Sequence, residues 1–218
     1  MNIYLVVEGE IGEKKVYSNW LKYLNNQFNI VNSISEISTN SVYIIAGFGY
    51  PNYFEVIENA AYDVANNNID RLVVAIDSED MTYDEKHNEV EDFIVKLNLS
   101  IDYKIIVQHF CLETWALGNR IIVNRKPSSD RVRRYRRLHD VLYLDPAELP
   151  PNKGEDLNRA QFAEKYLRAL LNDKYRNLTY SKKNPEALLH KKYFERILDR
   201  FTRTGHIASF EDFLTSFV

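Results

Sequence analysis

The sequence predicts an α/β fold, a mostly parallel sheet flanked by helices, with a basic and mainly helical carboxy-terminal region. Three observations predict it. Short continuous apolar runs bounded by polar residues recur along the first half, the pattern of strands buried on both faces. The segments between those runs carry apolar residues at helical spacing. Basic residues then collect after residue 118.

Ile3-Tyr-Leu-Val-Val7 is the first predicted strand. Residues 13–26 follow with Val16, Trp20, Tyr23 and Leu24 on one helical face. Residues 33–40 are polar and read as loop. Val42-Tyr-Ile-Ile-Ala46 is the second strand, and Gly47-Phe-Gly-Tyr-Pro51 is a turn whose proline opens a helix running to about residue 67. Leu72-Val-Val-Ala-Ile76 is the third strand. Residues 83–97 form a helix with Val90, Phe93, Ile94 and Leu97 in one stripe, and Tyr103-Lys-Ile-Ile-Val107 is the fourth strand. Strands separated by helices of this length call for crossover connections and parallel pairing. Beyond them, residues 120–137 hold eight Lys/Arg against one acid, Asp130. Residues 145–154 are rich in breakers and mark an internal boundary. Helical patterns cover residues 160–171 and 185–201. A short last helix spans 209–217, with Ser209 as cap and Asp212 at the third position. The expected organisation is a metal-binding domain over 1–118 and a basic, helical extension over 119–218.

The chain has 218 residues, 45% hydrophobic and 27% charged, an ordinary globular composition. Its one cysteine, Cys111, excludes an intramolecular disulfide and a cysteine-rich zinc site, and nothing around it suggests an activated nucleophile. No apolar run approaches a membrane span, and the amino terminus lacks a secretory pattern, so no membrane partner and a cytoplasmic location are expected. A phosphate-binding Gly-x-x-x-x-Gly-Lys-Ser/Thr loop is absent, and seven glycines argue against a dinucleotide fingerprint. Net charge is −3 but unevenly spread. Residues 1–118 carry 18 acids and 7 bases, a net of −11, whereas residues 119–218 carry 13 acids and 21 bases, a net of +8. An acidic half can seat cations while a basic half attracts phosphate; solvated faces are the plainer alternative.

Two predicted strands end in acids. The first runs into Glu8-Gly9-Glu10, with Glu13 close behind, and the third into Asp77-Ser78-Glu79-Asp80. Ligand sites of open α/β sheets lie beyond the carboxyl ends of the strands. Carboxylates brought together there repel unless a cation screens them, and Mg²⁺, which prefers hard oxygen ligands, is the expected cation, with Mn²⁺ as its substitute. The competing reading is that these acids cap the following helices.

Val6-Val-Glu-Gly-Glu-Ile-Gly-Glu-Lys-Lys-Val-Tyr17, followed by Val74-Ala-Ile-Asp-Ser-Glu-Asp80, resembles the signature of the TOPRIM domain. It is most similar to small prokaryotic TOPRIM nucleases related to the OLD family, which are paired with ATPases in anti-phage defence. The resemblance covers residues 1–118 and extends only loosely beyond. It implies a TOPRIM-like sheet and a metal-dependent endonuclease that hydrolyses phosphodiester bonds of DNA or RNA, tRNA included, under the control of a partner ATPase. It assigns metal and catalytic roles to Glu8, Asp77 and Glu79, with Asp80 as a supplementary ligand. Two departures stand out: Glu79 replaces the commoner Asp, and Glu13 follows Glu8 by five residues rather than four. Whether Glu10 or Glu13 is the accessory acid is left open. The alternative function is a non-catalytic TOPRIM-like subunit that binds nucleic acid or an ATPase.

Three further groups are drawn in. Glu113, in His109-Phe-Cys-Leu-Glu-Thr-Trp115, matches a Glu-x-Trp segment of related proteins and is a candidate metal ligand or a structural acid. His109 is more simply read as a hydrogen-bonded histidine. Lys182 or Lys183 matches a lysine that OLD-type nucleases use to neutralise transition-state charge; Lys183 is taken as catalytic and Lys182 as a nucleic-acid contact. Arg131, Arg133, Arg134, Arg136 and Arg137 surround one tyrosine and suit phosphate binding. The competing use of that run is docking an acidic partner, such as the acidic half of a second copy in a homodimer.

Overall fold

The computed structural model describes residues 1–175 and 178–218. Two compact units are formed, one from residues 1–76, 83–107 and 211–218, the other from residues 77–82 and 108–210.

The first unit is built on a five-stranded sheet: β1 (Ile3–Val7), β2 (Asn29–Val31), β3 (Ser41–Ala46), β4 (Arg71–Asp77) and β5 (Asp102–Gln108), in the spatial order β2-β3-β1-β4-β5. β1 is central and pairs in parallel with β3 and β4, while β2 pairs in parallel with β3. Every residue of β1 is buried, which is why this strand reads as an unbroken apolar run. Alternation sends Tyr4 and Val6 to one face, where they join Leu72, Val74 and Ile76 of β4. Ile57 and Val64 of α2 (Tyr53–Asn66) and Val90 and Ile94 of α3 (Tyr83–Lys96) complete that layer. Ile3, Leu5, Val7, Val73 and Ala75 point the other way and are fully inaccessible. Tyr17 and Trp20 of α1 (Gly12–Leu24) pack edge-on against Phe213 of α8 (Phe210–Thr215), at 5.5 and 5.9 Å between ring centroids.

The second unit contains α4 (Leu112–Ala116), α5 (Asp130–Leu138), α6 (Arg159–Lys174) and α7 (Lys191–Thr204). Its core holds Tyr135, Phe162 and Tyr166 in mutual ring contact, and the Tyr166 hydroxyl donates to the His139 carbonyl at 2.9 Å. A buried cation organises its far end. Arg200 is 2% exposed, and its guanidinium donates to the carbonyls of Val141 and Leu144 and to His206 Nδ1. Residues 145–154 fold within this unit, with a 3₁₀ turn over Pro146–Glu148 and a bridge between Asn152 and Leu157.

The α/β fold with parallel pairing is as the apolar runs predict, and the carboxy-terminal region is helical. Three local expectations need correction. Residues 29–31, not expected as a strand, form β2: three residues give too short a run to read, and the edge position relaxes the need for apolar residues. The helix expected over 185–201 is divided into a 3₁₀ turn at Glu186–Leu189 and α7, because His190 between them is extended, with ψ 133°. Ser209 does not act with Asp212 as a capping box. Its hydroxyl accepts instead from the Trp115 indole at 2.9 Å and the His109 amide at 3.3 Å. Asp212 accepts from the Tyr83 hydroxyl and the Val107 amide. Buried donors took both side chains away from the helix terminus.

Candidate metal centre

Glu8 is the residue after β1, and its backbone is held on both sides. Its N–H donates to Ala75 O at 3.0 Å, and its carbonyl accepts from Gly49 N at 3.0 Å. Val7 lies opposite both Ala46 and Ala75, so the ladder carries Glu8 and the end of β4 forward together. Asp77 is the last residue of β4 and is 4% exposed. Glu79 follows with a left-handed backbone, φ 52°, an uncommon conformation for a residue with a Cβ. Its N–H is fixed to Phe110 O at 2.9 Å. One carboxylate oxygen from each of Glu8, Asp77 and Glu79 lies within 4.8 Å of the others. The three acids expected at the strand ends are therefore brought together. All three donors are hard oxygens on short tethers, the set that suits a divalent cation such as Mg²⁺.

The surrounding charges are graded. Burial raises the Glu79 pKa above the ordinary carboxylate value, and Asp80 and Glu113 push the same way; Lys182 and the Asn158 amide oppose them. Asn158 Nδ2 donates to Glu79 Oε2 at 3.3 Å, while Asn158 Oδ1 caps α6 by accepting from Gln161 N at 2.7 Å. Lys182 Nζ stands 3.9 Å from Asp77 Oδ2. It is carried on a tight turn in which Ser181 and Asn184 exchange backbone hydrogen bonds, leaving Lys182 and Lys183 at the two central positions. Lys182 reaches the acids and Lys183 is exposed. Of the two lysines that the resemblance brings in, Lys182 is the one whose ammonium stands beside Asp77.

The remaining acids are engaged differently. Asp80 accepts from Arg159 N at 3.2 Å, and its carboxylate is 3.9 Å from the Arg159 guanidinium. Glu113 is 2% exposed and accepts from the Tyr180 hydroxyl at 2.6 Å, and it is not among the three acids that converge. Glu13, in the first turn of α1, accepts from Gly9 N at 2.8 Å, while Glu10 is exposed. His109 Nδ1 is paired with Ser78 Oγ at 2.9 Å. Burial, then Arg159, lower its pKa and favour the neutral ring. Cys111 is fully buried and its thiol is pushed up, chiefly by desolvation, which makes it a poor nucleophile. Asn158 and Tyr180 were not singled out from sequence.

The arginines sit on α5, where Val132 and Tyr135 are buried. Arg133 pairs with Asp130 and donates to the Pro127 carbonyl; Arg136 forks onto Asp140, donating from both Nε and Nη2. Arg131, Arg134 and Arg137 are exposed, and Arg134 lies 3.9 Å from Glu155. Two of the five are thus committed to holding the helix. Among the described residues no helix is long and apolar enough to cross a membrane. The chain matches no protein-family model, no curated protein and no solved structure.

Proposed function

We propose that this protein is a metal-dependent nuclease that hydrolyses phosphodiester bonds in DNA or RNA. The observation that carries the reading is the convergence of Glu8, Asp77 and Glu79 to within 4.8 Å at the carboxyl ends of two adjacent parallel strands. The resemblance to TOPRIM nucleases, carried by the same three acids, agrees with it. Glu8, Asp77 and Glu79 would hold Mg²⁺ or Mn²⁺, which in such reactions supplies an activated water and charge stabilisation at the phosphoryl oxygens.

The chain's own residues do the rest. Burial of Asp77 and the fixed backbone of Glu8 hold the carboxylates in place before any ligand arrives, which removes the cost of organising them during reaction. The Asn158 amide orients the Glu79 carboxylate and helps keep it ionised. Lys182 places a positive charge beside Asp77, where it opposes negative charge building on a phosphoryl group. Lys182→Ala should lower the cleavage rate about 100-fold, the scale for losing one preorganised electrostatic donor, and Lys183→Ala only about threefold. Single-turnover rates for the two variants, side by side, check this.

The exposed arginines of α5 are assigned to phosphate contacts. Replacing Arg131, Arg134 and Arg137 together with Ala should reduce the slope of log affinity against log salt by about one unit per lost contact on duplex DNA. An unchanged slope would transfer α5 to a protein partner. Restraint by a partner ATPase belongs to the same proposal and rests on the resemblance; co-expression of the genomic neighbour should relieve toxicity of the nuclease alone.

The deciding experiment incubates the protein with single-stranded and duplex DNA and with RNA, in Mg²⁺, in Mn²⁺ and in a chelator. Metal-dependent scission that chelation abolishes supports the reading. Intact substrates under all conditions, with no rise in melting temperature on adding metal, would reject it.

A further inference from the structure

The turn after β3 carries two large apolar side chains into solvent. Phe48 is 57% exposed and Tyr50 is 63% exposed. Exposure is not due to looseness, because the turn is tied at several points. Gly47 N donates to Val7 O at 2.6 Å, Gly49 N to Glu8 O at 3.0 Å, and Asn52 Nδ2 to Phe48 O at 3.1 Å. A Cβ on Gly47 would lie 2.8 Å from Tyr53 Cβ, so this position admits only glycine in the observed geometry. Phe48 itself is held at φ 63°, a left-handed conformation that a bulky residue adopts only when its surroundings impose it. A left-handed backbone and a solvent-exposed phenyl ring thus coincide at Phe48.

Tyr50 is equally fixed. Its ring packs edge-on against Tyr53 at 6.0 Å and Phe54 at 6.3 Å, and Lys86 Nζ lies 5.2 Å from its centroid. Lys86 also donates to the Tyr53 hydroxyl at 3.3 Å. An exposed ring on a fixed backbone, Phe48, and a ring held by its neighbours, Tyr50, therefore stand on a turn whose backbone is bonded to that of Glu8.

We propose that Phe48 and Tyr50 are a base-stacking platform that takes single-stranded nucleic acid at the Glu8 edge of the metal centre. The proposal rests on the nuclease reading and adds the strand class of its substrate. Stacking is the affinity that this surface can supply: residues 1–118 are strongly acidic, so phosphate contacts there are unfavourable, whereas every base has a π-face whatever its charge surroundings. Bases in a duplex are already stacked on one another and offer no face to the rings. A protein partner fits less well, since a stable interface takes about 800 Å² from each side, far more than two side chains on one short turn present.

The test measures fluorescence anisotropy of a labelled single strand and of its duplex, with Ca²⁺ replacing Mg²⁺ to hold substrate uncut. Phe48→Ala and Tyr50→Ala should each weaken single-strand binding roughly 5- to 100-fold, the scale of losing one base–aromatic contact. The loss should be the same at low and high salt, because stacking releases no counterions. Duplex affinity should not change, and Phe48→Trp and Tyr50→Phe should retain single-strand binding. A second measurement needs no variant: 2-aminopurine in the single strand should be quenched when the unaltered protein binds. Equal losses on both strand classes, a loss that disappears at high salt, or unquenched 2-aminopurine would overturn the platform while leaving the nuclease reading intact. If the unaltered protein binds neither nucleic acid, the nuclease reading fails and the platform fails with it.

Discussion

Asp77→Asn should abolish metal-dependent cleavage while leaving the protein at least as stable as before. Changes to residues that merely support a metal ligand cost about 10- to 100-fold, so loss of a direct carboxylate should cost at least ~100-fold. The stability half of the expectation follows from the same geometry. Two carboxylates within 4.8 Å of each other repel by roughly 3 kcal/mol at an effective dielectric of 20. Lys182 offsets part of that repulsion. Neutralising Asp77 in chelator should therefore leave the melting temperature unchanged or raise it, and the upward shift on adding Mg²⁺ should disappear. Glu8→Gln should behave alike. A variant that melts much earlier in chelator would show that Asp77 supports the fold rather than a ligand.

Arg200→Met should be the most damaging single change away from the site. The guanidinium is buried and bonds to two backbone carbonyls and to His206. Desolvation depresses its pKa to about 10, so it remains charged at neutral pH. Replacing it removes the donor from three acceptors, of which the Val141 carbonyl is fully buried. Hydrogen bonds from a charged donor are worth about 1.5–3 kcal/mol each, so losing the two to carbonyls should lower the melting temperature by roughly 6–24 °C for a chain of this size. Lys should not rescue, because an ammonium cannot fork between carbonyls as a planar guanidinium does. Thermal melts of Arg200→Met and Arg200→Lys give the answer, and a shift of a degree or two would dismiss this account.

The parallel sheet and the meeting of Glu8 with Asp77 were legible for one physical reason. A strand buried on both faces must be apolar throughout, so its end is marked by the first acid, and sites collect at such ends. Glu79 could be read with them because it lies two residues from Asp77. What could not be read came from elsewhere in the chain. Asn158 meets Glu79 across 79 residues, and Tyr180 meets Glu113 across 67. No local periodicity records either contact. The choice between Lys182 and Lys183 depended on which way a two-residue turn tips, and composition is silent on that. The cap assigned to Ser209 failed for a related reason: capping is a local preference, and the Trp115 indole, 94 residues away in sequence, donates to the Ser209 hydroxyl instead.

The return of residues 211–218 to the first unit bears on how the protein is made. Phe213 packs on Tyr17 and Trp20, Asp212 accepts from Tyr83, and the Arg71 guanidinium donates to the carbonyls of Ser216 and Val218. The unit that contains Glu8 is therefore incomplete when β5 leaves the ribosome. At ordinary elongation rates the closing segment emerges roughly 5–20 s later. During that interval the apolar face awaiting α8 is open, and the carboxylates rest on an unfinished scaffold. A nuclease assembled in this order would acquire its activity only after residues 211–218 have been made. Chains interrupted before residue 211 would lack the Phe213 ring that packs on Tyr17 and Trp20.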